Sequence, residues 1–399
     1  MYIPKKEILE KYADVLINCA LNGGNGIKES ETVFLQVPEI AKPLLIALRN
    51  TALKAKAFPI IQFIPDGLDK EYYKLANQKQ LEFFPEIYLR GKVNQADHFV
   101  SIIADSDLYE LKDISPEKIM AKTKAFKPYM DWKRDKENSG KLTWTLALYG
   151  TKAMAKEANL TLEEYWNQII EACYLNEKNP VKKWKETLSE IERIKSKLNS
   201  LNIKEINITS DKIDLKIGLD SNRKWMGGSG RNIPSFEVFI SPDWRKTHGI
   251  IYFNQPLYRY GNLIKGIALE FKDGKVVKAS AKEGEKLLKE MIDVENADKI
   301  GEFSLTDERL SKITKFMATT LFDENIGGKY GNTHIALGSA YKDSYPRDPS
   351  KVSDKEWDSM GYNDSAIHTD MISTENRKVT AVLEDNERIL IYENGQFKI

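Results

Sequence analysis

Apolar positions change their period twice along this chain. Thr32 to Val37 is a short continuous apolar run. Pro38 then opens a stretch to Ala57 in which Ile40, Leu44, Leu45, Leu48 and Ala52 fall near one helical face. Phe58 to Ile64 is a second apolar run, closed by Pro65, Asp66 and Gly67. A buried strand, a helix and a second buried strand in that order make a βαβ unit, with parallel strands and a right-handed crossover. His98 to Ala104 and Thr143 to Tyr149 repeat the strand pattern, the latter before a helix near Lys152. From Thr161 to Leu201 the pattern is helical, opened by Thr161 with Glu164 three residues on, the spacing of a capping box. After Asn202 period two takes over in Ile206 to Thr209 and Lys212 to Ile217, as in half-buried strands. Further strands are expected at Glu237 to Ile240, Ile250 to Phe253, Ile264 to Phe271 before a turn at Asp273-Gly274, Gly301 to Leu305, Thr380 to Leu383 and Ile389 to Tyr392. The expected fold is α/β, with an N-terminal open, mostly parallel sheet and its helices over residues 1–200. A C-terminal α+β domain rich in antiparallel strands is expected over 201–399.

Composition narrows the function classes. Sixty Lys and Arg stand against 59 Asp and Glu, so no net field draws in a polyanion or an anionic membrane, and neither nucleic acid nor membrane is an expected partner. A 41% hydrophobic and 30% charged chain of 399 residues builds a core readily. Its longest apolar runs, such as Pro43 to Leu48, fall far short of the roughly 20 residues that span a bilayer. Met1 to Ala20 interleaves charges with apolar positions, unlike a signal peptide. Cys19 and Cys173 are isolated, without a Cys-x-x-Cys, which fits a reducing compartment; a cytoplasmic location is expected.

Histidine is scarce, and two of the four occurrences sit beside other metal-ligating residue types. In Ala366-Ile367-His368-Thr369-Asp370-Met371-Ile372, a strand pattern projects His368 and Asp370 to the same face, where an imidazole and a carboxylate suit a divalent transition metal. In Gly331-Asn332-Thr333-His334-Ile335-Ala336-Leu337-Gly338, an apolar trio pins the chain directly after His334. Glu237 and Glu302 lie in apolar segments, Ile233 to Phe239 and Ile300 to Leu305, where an unpaired carboxylate is costly.

These four segments, in this order, resemble the family of thermophilic metalloaminopeptidases typified by aminopeptidases T and S. The resemblance runs nearly end to end, through Asn-Ile-Pro-Ser-x-Glu-Val-Phe, Ile-Gly-Glu, Thr-His-Ile-Ala-Leu-Gly with a Tyr seven residues after the His, and Ile-His-x-Asp; Asn179-Pro180-x-x-x-Trp184 and Trp225-x-Gly227-Gly228 fit as well. It implies that Glu237, Glu302, His334, Tyr341, His368 and Asp370 surround two divalent ions, Zn, Co or Mn, with Glu237, Glu302 and Tyr341 also catalytic. It further implies metals in the C-terminal domain facing the N-terminal one, a homodimer enclosing its active sites, and peptides with a free N-terminus as substrates. Two ions about 3.5 to 4 Å apart share a water of lowered pKa and polarise the scissile carbonyl. Glu237 or Glu302 is expected to bridge them or steer the proton, and Tyr341 to ligate weakly or donate to the oxyanion. Polar Thr333 departs from the family pattern and is expected to alter metal preference.

Rival readings explain less. Gly23-Gly24-Asn25-Gly26 precedes a strand rather than following one, against a dinucleotide fingerprint, and Gly227 to Gly230 lacks the Gly-Lys-Ser/Thr of a phosphate loop. A mononuclear iron ring-cleaving dioxygenase of related fold needs His368 and Asp370 but not both glutamates. A glycosidase using Glu237 and Glu302 leaves both histidine segments idle, and a non-catalytic peptide-binding protein stays open.

Overall fold

The computed structural model describes residues 2–259 and 262–399. The chain divides into two compact units: everything up to Lys185 with Ser229–Ile233, and Glu186–Gly228 with Pro234–Ile399.

In the first unit β1 (Thr32–Pro38), β2 (Phe58–Ile64), β3 (His98–Ile103) and β4 (Thr143–Leu148) form a parallel sheet in the order β2-β1-β3-β4, with Asn232–Ile233 adding a parallel strand beside β4. The crossover from β1 to β2 is the helix Lys42–Lys54, with Pro43 in its first turn and Leu44, Leu45 and Leu48 buried. The Thr161–Glu164 capping box is formed: each residue's side chain accepts a hydrogen bond from the other's backbone N–H. His98 bridges Thr143 Oγ1 at 2.8 Å and Glu31 Oε2 at 2.9 Å, tying β1, β3 and β4 together at their N-terminal ends. One expectation fails here. β2 is a strand but not a buried one, because it ends the sheet with β1 as its single neighbour among the described residues, and Phe58, Ile61, Phe63 and Ile64 remain exposed.

The second unit is built from antiparallel strands. Eight of them, including Ile203–Thr209, Asp214–Gly218, Thr247–Phe253 and Lys378–Leu383, form one sheet. A second sheet runs β8-β7-β6-β5 and ends on Met226–Gly227, where β5 is Glu237–Ile240, β6 Ile300–Thr306, β7 Asn332–Gly338 and β8 His368–Ser373. Val238, Phe303, Leu305, Ile335, Leu337 and Met371 turn one face of this sheet into a core shared with Ile206, Leu215, Ile251 and Phe253. Each such side chain contributes about 1.5–3 kcal/mol by burial. Alternation along the strands then sends Glu237, Glu302, His334, His368 and Asp370 to the opposite face. One segment that reads as a single strand is divided, Ile264–Phe271 at Gly266 with φ +63°, while the strand expected at Glu237 to Ile240 is present with those bounds.

Candidate metal centre

Register brings the donors together. Glu302 lies opposite Ala336, and Ala336 opposite Asp370; Ser304 lies opposite His334; Thr306 opposite Glu237; Gly338 opposite His368. Residues directly opposite share a face, so four adjacent strands present five ligand-type side chains to one place. Ala336, Ser304 and Gly338, all small, leave room between them. Gly338 is needed for the backbone as well: its φ is +106°, and a Cβ there would meet Ile367 O at 2.1 Å.

The donors fall into two groups, Glu237–Glu302–His334 and Glu302–His368–Asp370, each with its ligand atoms within 4.8 Å of one another. His334 Nε2 lies 3.3 Å from Glu237 Oε2 and 3.3 Å from Glu302 Oε1. His368 Nε2 lies 3.2 Å from Glu302 Oε2 and 3.3 Å from Asp370 Oδ1. The other nitrogen of His368 donates to Ser339 O at 2.7 Å, which fixes the tautomer and aims the Nε2 lone pair at two carboxylates. A neutral ring so placed is repelled unless a cation sits between, and this donor set fits divalent metal ions.

The protein groups taken alone show the same demand. Burial works against charging either imidazole, yet the neighbouring carboxylates hold both His334 and His368 well above the usual range. Burial raises Glu237, with His334 opposing. Glu302 is lowered in spite of burial by its bonds to His334 and His368, and Asp370, likewise against burial, is lowered to about 2 by His368. Tyr341 is 40% exposed as a residue, but its ring meets those of Phe239 and His368 at 5.4 and 5.0 Å. Withdrawal of its hydroxyl end from water, with the charge of Glu302 and Asp370, holds the phenol well above its usual value.

Two nearby groups escape a reading of the sequence. Glu324 is buried, and its carboxyl is pushed well up, first by burial and then by the charges of Glu237 and Asp370. Its signal is Asp323-Glu324-Asn325, three consecutive polar residues set between Leu321-Phe322 and Ile326. Arg259 donates to His368 O at 3.4 Å and its charge acts on Asp370; nothing in its own segment marks it. Thr333, expected to influence the metals, alternates to the face away from His334 and donates to Ser304 O at 2.8 Å, so its role is in strand pairing.

The profile of the thermophilic metalloproteases (M29) matches residues 5–397. The chain belongs to that family. It is accordingly an enzyme, a hydrolase of the metalloaminopeptidase kind, as the sequence resemblance implied. Within M29, it is 30% identical to aminopeptidase PepS of Streptococcus thermophilus over 100% of both chains. It is 28% identical to aminopeptidase AmpS of Bacillus subtilis over 83% of this chain and 85% of that one. The solved structure of wild-type AmpT from Thermus thermophilus shares the fold with a TM-score of 0.84 at 24% identity, over 99% of this chain and 100% of that one.

Ala336 offers a local test of this M29 centre. Ala336→Leu fills the gap between Glu302 and Asp370 and is expected to abolish metal uptake, measured by mass spectrometry of bound metal, at a stability cost of about 1–3 kcal/mol. Ala336→Ser is expected to keep both.

Proposed function

We propose that this chain is a dinuclear metal-dependent aminopeptidase that removes N-terminal residues from peptides with a free N-terminus, acting as a cytoplasmic homodimer. One observation carries the dinuclear reading: the two oxygens of Glu302 face different histidines, Oε1 toward His334 and Oε2 toward His368, the disposition of a carboxylate shared by two ions. Glu237 and His334 complete one ligand set, and His368 and Asp370 the other. Zn, Co and Mn all suit these donors; when bound, the ions supply a bridging water of lowered pKa and a polarised scissile carbonyl.

The chain's own residues do the rest. Glu237, which accepts from Ser235 Oγ at 3.2 Å, takes a proton from the attacking water and passes it to the leaving amine. Tyr341 keeps its proton at neutral pH, because its phenol is held high, and donates it in a hydrogen bond to the developing oxyanion. Its backbone N–H donates to Ser241 Oγ at 2.8 Å, which fixes where the ring starts.

The test is hydrolysis of a short peptide beside its N-acetylated twin, with protein stripped by chelator and reloaded with Zn, Co or Mn. Metal-dependent cleavage of the free peptide alone is the expected result. Folded, metal-loaded protein that cleaves neither peptide overturns the assignment.

A further inference from the structure

The face that carries the metal donors also holds an acid belonging to neither donor group, Glu324. Alternation along β7 puts Asn332 on the same face as His334. The Asn332 amide donates from Nδ2 to Glu324 O at 2.9 Å and to Ile326 O at 2.7 Å. Just before β5, Phe236 N–H donates to Asn325 Oδ1 at 2.7 Å. Thr306 lies opposite both Asn332 and Glu237, so these anchors are level with Glu237. The turn at 324–326 is therefore seated on the metal face, at its Glu237–His334 end. Glu324 is 7% exposed, and the charges of Glu237, Asp370, His334 and Glu302 all reach its carboxyl. With Nδ2 of Asn332 committed to two carbonyls, its Oδ1 is a buried acceptor with no hydrogen-bond partner among the described residues. Buried acceptors are nearly always satisfied, so this one marks a place where a donor is missing.

We propose that Glu324 and Asn332 read the free N-terminus of the substrate: the peptide's α-ammonium group enters beside the metal centre and donates to the Glu324 carboxylate and to Asn332 Oδ1. This rests on the aminopeptidase reading above and adds the residues behind its restriction to free N-termini. An α-ammonium brings three N–H donors and one positive charge, and these two side chains offer it acceptors and a negative charge. Glu237, Glu302 and Asp370 face the histidines as ligands, whereas Glu324 faces the substrate. Its neighbours Leu321, Phe322 and Ile326 are buried, and in such surroundings opposite charges attract more strongly than in water. An N-acetylated peptide brings no charge and a single amide donor, so its entry leaves a buried carboxylate uncompensated. The amine and the scissile carbonyl are joined through one Cα, so holding the first positions the second and limits cleavage to one residue from the end.

Glu324→Gln keeps the shape of the side chain and removes its charge. Loaded with metal, it is expected to hold as much metal as the wild type and to raise KM for a free-amine peptide about 100-fold, with kcat little changed. Binding separates amine recognition from chemistry. The probes are the amino alcohol of the best-cleaved N-terminal residue, which cannot be hydrolysed, and its des-amino twin, compared as inhibitors. The wild type is expected to prefer the amine by about 100-fold, and Glu324→Gln to bind the two alike. Glu324→Asp keeps the charge but draws it back by one methylene, and is expected to fall between them; should Glu324→Gln not fold, this variant carries the test. Wild-type preference for the amine in the folded variants overturns the inference while the aminopeptidase reading stands, and leaves the amine to a metal ion. Metal lost from folded Glu324→Gln overturns it by making Glu324 a ligand. A wild type that cleaves neither the free nor the acetylated peptide overturns both readings.

Discussion

Glu302→Gln is expected to fold, to bind neither ion in stoichiometric amount, and to lose at least 10³-fold in kcat/KM, about 4 kcal/mol of transition-state stabilisation. The reason is its shared position: Glu302 belongs to both donor groups, and a neutral amide supplies neither the charge nor the second anionic oxygen. Asp370→Asn, which touches one group, is expected to keep the other ion. Metal analysis of both variants beside their kinetics checks this. Two ions retained by Glu302→Gln would sink the bridging role.

The second large effect is in pH. His334 and His368 are held above the 6.5 of a free imidazole, so the stability they give the metal-free protein is complete below pH 6.5 and is lost as pH rises through their raised values. Glu237, raised above 4.5, acts with the same sign at lower pH. Glu302 and Asp370 act oppositely: their contribution is present above 4.5 and 3.8 and is lost as pH falls through their lowered values, that of Asp370 being about 2. Metal-free protein is therefore expected to be most stable near about pH 5–6.5 and to weaken above. Each ligand set holds one imidazole that must be deprotonated, so the apparent affinity for each ion rises by up to about tenfold per pH unit over the same span. Melting curves with chelator and with metal, from about pH 5.5 to 8.5, should diverge; parallel curves would mean that the histidines do not meet the ions.

Much of this is legible in the sequence, for reasons that particular residues make plain. Period two places His368 and Asp370 on one face without any knowledge of neighbours. The cost of burying Glu237 and Glu302 marks them before their partners are known. Their convergence comes from the family resemblance alone, because it depends on a register across four strands that local pattern does not encode. Glu324 and Arg259 stay hidden for the same reason, since each reaches the cluster from a segment without a metal-binding spacing. β2 misleads because an apolar run looks the same whether it is central or at an edge; its position in the sheet, set by distant β3 and β4, decides.

β8 stands at the end of its sheet with β7 as its single partner strand among the described residues, while β6 and β7 are flanked on both sides. The two donor groups therefore differ in mechanical support. Glu302 and His334 are clamped by strands on either hand, whereas His368 and Asp370 ride on a segment that can fray without unzipping the rest. On the proposed dinuclear reading, the half on the margin is expected to exchange its ion faster than the half held between β6 and β7.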